Sequence, residues 1–276
     1  RPELVDEYPV YVGAQTLRSE RPTILVCGHA AGNELFGGER SLLDLLQGFK
    51  SLGYNVLVAL PLTTNHEYLH RLRNLSHLVC TLPLRHWSAE HKPSNRIIRR
   101  LSGIIRYYQV DAVHSNTIML REPLVAARQC GIPGVVHVRE VLSHDNDLCR
   151  AIGLPAEEIH RQVQQTADYI IANSAFTAKN YKKPKKIFIV PNTVDVKALD
   201  IDNAIQPDKV TIGLISSNIP KKGIHEMVEL AQRLRSQVPQ AQFRLIGPIN
   251  QHIVQIRNEL ATESSISKIS FSGYAG

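Results

Sequence analysis

The sequence predicts an α/β chain with mostly parallel sheets, and three observations carry that prediction. Short apolar runs recur along the 276 residues, each followed by a stretch of helical periodicity. Consecutive runs stand roughly 20 residues or more apart, enough for a crossover helix to return the chain parallel to itself. The hydrophobic fraction, 43%, is that of a globular protein, and charges are interspersed rather than blocked. Right-handed crossovers make doubly wound sheets the expected form.

The elements follow in order. "TILVCGH" (23–29) is continuously apolar and reads as a buried strand. "GERSLLDLLQGFKSLG" (38–53) places Leu42, Leu45, Leu46 and Phe49 on one helical stripe, and Gly53 suits its stop. "YNVLVALP" (54–61) completes a βαβ unit. Strands are expected at 77–83, 110–116, 134–140, 168–174 and 186–192, and helices at 94–109, 122–131 and 157–167. The polar, irregular stretch 195–210 reads as a linker. Beyond it come strand 210–217, helix 223–237, strand 241–248 and helix 251–263. Two domains are therefore expected, 1–196 and 207–276.

Totals narrow the function. The formal net charge is +7, from 32 Lys+Arg against 25 Asp+Glu, which suits an anionic partner or solubility alone. No nucleic-acid-binding motif accompanies it, so none is expected as a partner. Cys27, Cys80, Cys130 and Cys149 form no CxxC pair, so reduced thiols in a cytoplasmic setting and no metal are expected. No run approaches the length of a membrane-spanning helix. The chain opens on Arg-Pro without a signal peptide and reads as a piece of something longer.

The loop "GHAAGNELFGGER" after the first strand asks for a phosphate-binding test. It has neither GxGxxG spacing nor a Walker Gly-Lys-Ser/Thr ending. It does lie beyond the carboxyl end of a strand, where open α/β sheets bind ligands. Gly37 and Gly38 permit close backbone approach, and Glu39 and Arg40 follow at a helix N-terminus, where free N–H groups attract anions. A tight turn with an N-cap is the plain alternative.

Several separated stretches together resemble the retaining family 4 glycosyltransferases. They are "ILVCGH…FGGERSLLDLLQGFKSLGYNVLVALP", "CGIPGVVHVRE", "ADYIIANSAFTAKNY", "IFIVPNTVD", "IGLISSNIPKKGIHEMVELAQRL", "FRLIGP" and "ISFSGY". Their order covers most of residues 23–276. The resemblance implies a GT-B fold of two Rossmann-like domains, with acceptor on the N-terminal side and a nucleotide-diphosphate sugar on the C-terminal side. It implies a hexosyltransferase acting in polysaccharide biosynthesis on a glycan or lipid-linked acceptor, with no cofactor. By this resemblance His137, Arg139 and Glu140 are catalytic. Gly37, Gly38, Ser216, Ser217, Asn218, Lys221, Lys222 and Gly247 bind donor. Glu39, Arg40, Ser115 and Asn116 contact acceptor.

There are departures from the pattern. Ser216-Ser217-Asn218 stands where relatives carry an arginine, and Thr193 where glycine is usual. No two glutamates have the Glu-x7-Glu spacing of the family, which falls beyond "FSGY", so the second domain is expected to be truncated and this piece inactive by itself. A non-catalytic glycan- or partner-binding module is the rival reading. The basic stretch 82–108 carries Trp87, and its Arg96, Arg99, Arg100 and Arg106 flank Ile97, Ile98, Ile104 and Ile105. It reads either as a peripheral contact with an anionic membrane or as a helix packing its isoleucines inward.

Overall fold

The computed structural model describes residues 8–182, 186–194, 196, 210–234, 236–261 and 269–273. The chain divides into two compact units, Arg1–Val194 and Asp195–Gly276. All but two residues of the linker read over 195–210 lie outside the described residues, as do residue 235 of the expected helix 223–237 and the end of the expected helix 251–263.

The first unit is a wrapped sheet. Its strands are β1 (Val10–Val12), β2 (Thr23–Cys27), β3 (Asn55–Pro61), β4 (Leu78–Leu82), β5 (Ala112–Ser115), β6 (Gly134–Val138), β7 (Tyr169–Ala172) and β8 (Ile187–Ile189). Their spatial order is β1-β4-β3-β2-β5-β6-β7-β8. All pairs are parallel except β1 with β4, which is antiparallel. The order reverses between β2 and β5: β3 and β4 extend one way, β5 to β8 the other. Such a switch point leaves a crevice at the carboxyl ends of the strands.

Both faces of this sheet are covered, as a parallel sheet requires. Ile24, Val26, Val56 and Val58 face helices α1 (Gly37–Ser51) and α2 (His66–Leu75). Leu25, Cys27, Leu57 and Ala59 face α3 (Asn95–Tyr107) and α4 (Glu122–Cys130). A third cluster joins Val136, Val138 and Ile170 to α5 (Asn146–Ile152) and α6 (Ala156–Thr166). The short helix α7 (Ala175–Ala178) follows β7. Continuous burial of β2, β3 and β4 explains why their sequences run apolar rather than alternating.

Helix ends match their chemistry. Glu39 Oε2 accepts from Phe36 N at 2.9 Å and starts α1. Gly53 and Gly131 take left-handed conformations, φ +83° and +72°, after α1 and α4. The α1 stripe differs slightly from expectation. Leu42, Leu43 and Leu46 are buried, while Leu45 and Phe49 pack only partly. In α3 every isoleucine of the basic stretch is buried, as is Leu101. That corrects the membrane reading of 82–108 in one respect: its apolar stripe is core, and only the charged face remains available. Among the described residues no helix is long and apolar enough to cross a membrane.

The second unit holds three parallel strands, β9 (Thr211–Ile215), β10 (Gln242–Ile246) and β11 (Ile269–Ser272), in the order β11-β10-β9. Helices α8 (Ile224–Leu234) and α9 (Gln251–Ala261) cover one face, where Ile212, Leu214, Phe243 and Leu245 meet Ile224, Met227 and Ile253.

Candidate functional site

The switch point of the first unit gathers side chains from three strand ends. β2 runs into His29 and then into α1 with Ser41. β5 ends in Ser115 and Asn116. β6 ends one residue before Arg139. Arg139 joins them. Its Nη2 donates to Ser41 Oγ at 2.7 Å and to Asn116 Oδ1 at 2.7 Å, and stands 3.0 Å from His137 Nδ1; its Nη1 donates to the Asn116 carbonyl at 2.5 Å. A guanidinium forked across several acceptors is rigid. Asn116 Nδ2 reaches the Gly38 carbonyl at 3.4 Å, which ties the start of α1 to the same network. Ser115, by contrast, is fully buried and donates to the Thr117 carbonyl, closing its own turn.

The electrostatics follow from burial. His137 is pushed down to about 4 by burial and then by Arg139. His114 is pushed down to about 3 by burial, with His137 and Arg139 adding to it. His29 is pushed down to about 4 by burial, then by His86 and Arg139. All three imidazoles are neutral at pH 7, and a ring contact of 6.0 Å links His114 to His137. Nε2 of both is buried, with no hydrogen-bond partner among the described residues. Burial raises the Glu140 carboxyl above its ordinary value, opposed by the Arg139 N–H it accepts at 3.0 Å and by the Arg139 charge.

The other expected residues of this unit are placed less centrally. Glu39 is buried and serves as the helix cap, which leaves it little to offer an acceptor. Arg40 is exposed and its Nε donates to the Leu35 carbonyl at 3.2 Å. A Cβ on Gly38 would meet the His29 ring at 3.1 Å, whereas one on Gly37 would meet nothing within 4 Å. Gly37 is therefore the open position of the pair. By helix geometry the N–H groups of Gly37, Gly38 and Glu39 have no carbonyl inside α1 to bond.

In the second unit, Ser216, Ser217 and Asn218 follow β9, and Gly247 follows β10. Ser216 Oγ donates to Asn218 Oδ1 at 3.0 Å and accepts from Asn218 N at 3.0 Å. Asn218 Nδ2 donates to the Pro248 carbonyl at 3.2 Å. Asn218 is 1% exposed at φ +52°. Its side chain is thus committed to holding two loops together. Gly247, at φ +149°, has the Ser216 carbonyl 2.0 Å from where a Cβ would sit. The close approach that Gly247 permits in this structure is that of the neighbouring loop. Lys221 and Lys222 are exposed in a 3-10 turn, Pro220–Lys222, and Gly223 at φ +81° leads into α8.

A model of glycosyltransferase family 4 matches residues 37–198. The chain belongs to that family. Solved structures show the same fold class, GT-B. A glycosyltransferase from Rickettsia africae ESF-5 superposes with TM-score 0.64 at 15% identity, over 93% of this chain and 69% of that one. A UDP-GlcNAc 2-epimerase from Neisseria meningitidis bound to UDP-GlcNAc gives 0.59 at 13% identity, over 92% and 72%. The catalytic domain of starch synthase IV from Arabidopsis thaliana, bound to ADP and acarbose, gives 0.53 at 10% identity, over 93% and 74%. At such identities the likeness is one of fold, and the fold alone serves both transfer and epimerisation. None of the curated protein sequences matches this chain.

Within this family-4 chain, sequence reasoning missed five contributors. Ser41, His29, His86, His114 and Asn173 carry no motif, and they meet Arg139 or its neighbours only through the fold; Asn173 Nδ2 lies 3.5 Å from the Arg139 carbonyl. It also passed over "HEYLH" (66–70), which has the HExxH spacing of a zinc-binding helix. His66, Glu67 and His70 lie exposed at the start of α2, and His70 Nε2 pairs with Asn74 at 3.1 Å. Among the described residues no group of three His, Cys, Asp or Glu could hold a metal ion. A two-histidine helix without a third ligand falls short of a zinc site.

Proposed function

We propose that this protein is a retaining hexosyltransferase that moves a sugar from a nucleoside-diphosphate sugar to a hydroxyl of a glycan or lipid-linked acceptor. Polysaccharide biosynthesis on the cytoplasmic side, without a metal or other cofactor, is part of the proposal. The observation that carries it is the Arg139-centred cluster at the switch point of a family 4 fold.

The reaction breaks the anomeric C–O bond to the diphosphate, whose oxygen keeps the electron pair. The acceptor oxygen forms the new bond on the same face, and its proton passes to a phosphate oxygen of the leaving group. Charge grows on the diphosphate, so cations and free N–H groups aimed there lower the barrier. Lys222, beside the N-terminus of α8, has that role in our reading, with Lys221 next to it. Within the first unit, the N–H groups of Gly37 and Gly38 form a positive helix end that suits an anion. His137, neutral and with Nε2 unpartnered, suits a sugar hydroxyl. Glu140 accepts the hydroxyl of the acceptor. Arg139 acts as a positioning residue, since both its Nη groups are engaged by Ser41 and Asn116, while its buried Nε has no partner among the described residues.

A second reading, a non-catalytic glycan- or partner-binding module, draws on one feature. Asn218 occupies the segment where relatives carry an arginine, and its side chain is consumed internally. Thermal unfolding with UDP, GDP and ADP, followed by donor turnover, separates the two. The enzyme reading expects stabilisation by one nucleoside diphosphate, about 2.7 kcal/mol at a hundredfold excess over Kd, lost in Lys222→Ala. No response to any diphosphate sinks the donor site and leaves the module.

A further inference from the structure

A cavity of about 450 Å³ opens within the first unit, over the loop between β4 and α3 and the start of α4. Its size lies in the range of small-molecule sites. Among the described residues, four cations line it, Arg85, Lys92, Arg96 and Arg121, against two carboxylates, Glu90 and Glu122. Glu122 is buried and already accepts from Ser94 N at 3.0 Å, so its charge is engaged in closing the loop.

Two arginines are held against aromatic faces. The Arg121 guanidinium lies 4.9 Å over the Trp87 ring and that of Arg96 5.8 Å over Tyr8. Stacking on Trp87 fixes the plane of the Arg121 guanidinium, whose N–H groups then suit an oxyanion. Trp87 is 5% exposed, and its indole Nε1–H has no acceptor among the described residues. A buried donor of that kind calls for a partner. Burial also lowers the Arg121 pKa, a cost that a bound anion offsets. One wall leads to the switch point: His86 lines the cavity and meets the His29 ring at 6.0 Å, and His29 packs on Gly38.

We propose that this cavity is a subsite for an oxyanion carried by the acceptor, the phosphate or carboxylate of an acidic saccharide. The inference rests on the glycosyltransferase reading and names its acceptor class. An acceptor anchored there by its charge presents a neighbouring hydroxyl past His86 and His29 toward the Arg139 cluster.

The test uses Trp87, the single tryptophan of the chain. Its fluorescence is titrated with glucose 1-phosphate, with a glucuronate-terminated disaccharide and with a neutral disaccharide, at low and at high salt. A saturable change is expected with one or both acidic sugars and none with the neutral one; which acidic sugar responds names the oxyanion. Lys92→Gln and Arg121→Gln are each expected to raise the half-saturation concentration about tenfold, the worth of one charge-assisted hydrogen bond. Lys92 is exposed on the loop, so its variant decides the matter if the Arg121 variant fails to fold. Equal response to the neutral sugar, unchanged binding in Lys92→Gln, or a response only to vesicles of anionic phospholipid overturns the proposal. Diphosphate binding, tested through Lys222 in the other unit, is read separately, so failure of the subsite and failure of the donor site are told apart.

Discussion

The two sheets of this protein solve the same packing problem differently. In the first unit, β2 and β4 are buried at every residue, because helices lie on both faces. In the second, β9 alternates exposed and half-buried residues, because α8 and α9 share one face. The polar groups differ in the same sense. Arg139, Asn116 and Ser41 are locked into one another at the end of a wrapped sheet, whereas Lys221 and Lys222 stand exposed beside a helix start. Geometry in the first unit is inherited from the core beneath it. In the second it depends on a few loop hydrogen bonds around Asn218.

Acidification should break the comparison most sharply. The ordinary imidazole value lies near 6.5, and His29, His114 and His137 are held far below it. Above that value both folded and unfolded chains carry neutral rings, and stability is flat. As pH falls from about 6.5 toward 4, the unfolded chain takes up protons that the folded cluster refuses, so folding weakens. Urea midpoints across this range should drop, and His137→Gln should flatten the slope; an unchanged slope would show that His137 is solvated.

Truncation in the two cores comes next. Leu57→Ala, at 0% exposure, should cost about 2–5 kcal/mol. Leu214→Ala, half-buried in the one-faced sheet, should cost about 1–2 kcal/mol. Equal losses in urea unfolding would erase the distinction. A last pair separates two glycines that look alike in sequence. Gly247→Ala drives a Cβ into the Ser216 carbonyl at a positive φ and should cost about 1–3 kcal/mol. Gly37→Ala meets nothing and should change stability by no more than about 0.5 kcal/mol by the same measurement.

Much of the fold was legible where period and punctuation agree. The β2–α1–β3 unit shows as an apolar run, a leucine stripe ended by Gly53, and another apolar run. Helix α2 escaped because its charged sequence buries only Tyr68, Leu69 and Leu72, and its best signal is the Asn65 cap on Tyr68 N at 2.8 Å. Strand β1 is three residues long, too short for a period. At the site, Arg139 drew attention through the family resemblance of "CGIPGVVHVRE". Its partners were not legible, because Ser41 lies 98 residues away and is brought near only where the strand order reverses. Glu39 and Asn218 attracted functional readings as polar residues in loops, yet both are spent on local architecture, which sequence cannot distinguish from ligand binding.

The short strand β1 has a consequence for how the molecule behaves in a crowded solution. It runs antiparallel along β4 and occupies the open row of amides and carbonyls there, with Gly13 tucked under the Ser76 carbonyl. A bare β4 would be a continuous apolar ribbon, Leu78–Leu82, ready to accept a strand from another copy. Val10–Val12 therefore work as a selvedge on the sheet. Removing Tyr8–Val12 should uncover that edge to pairing with another copy, and it takes away Tyr8, which lies against Arg96.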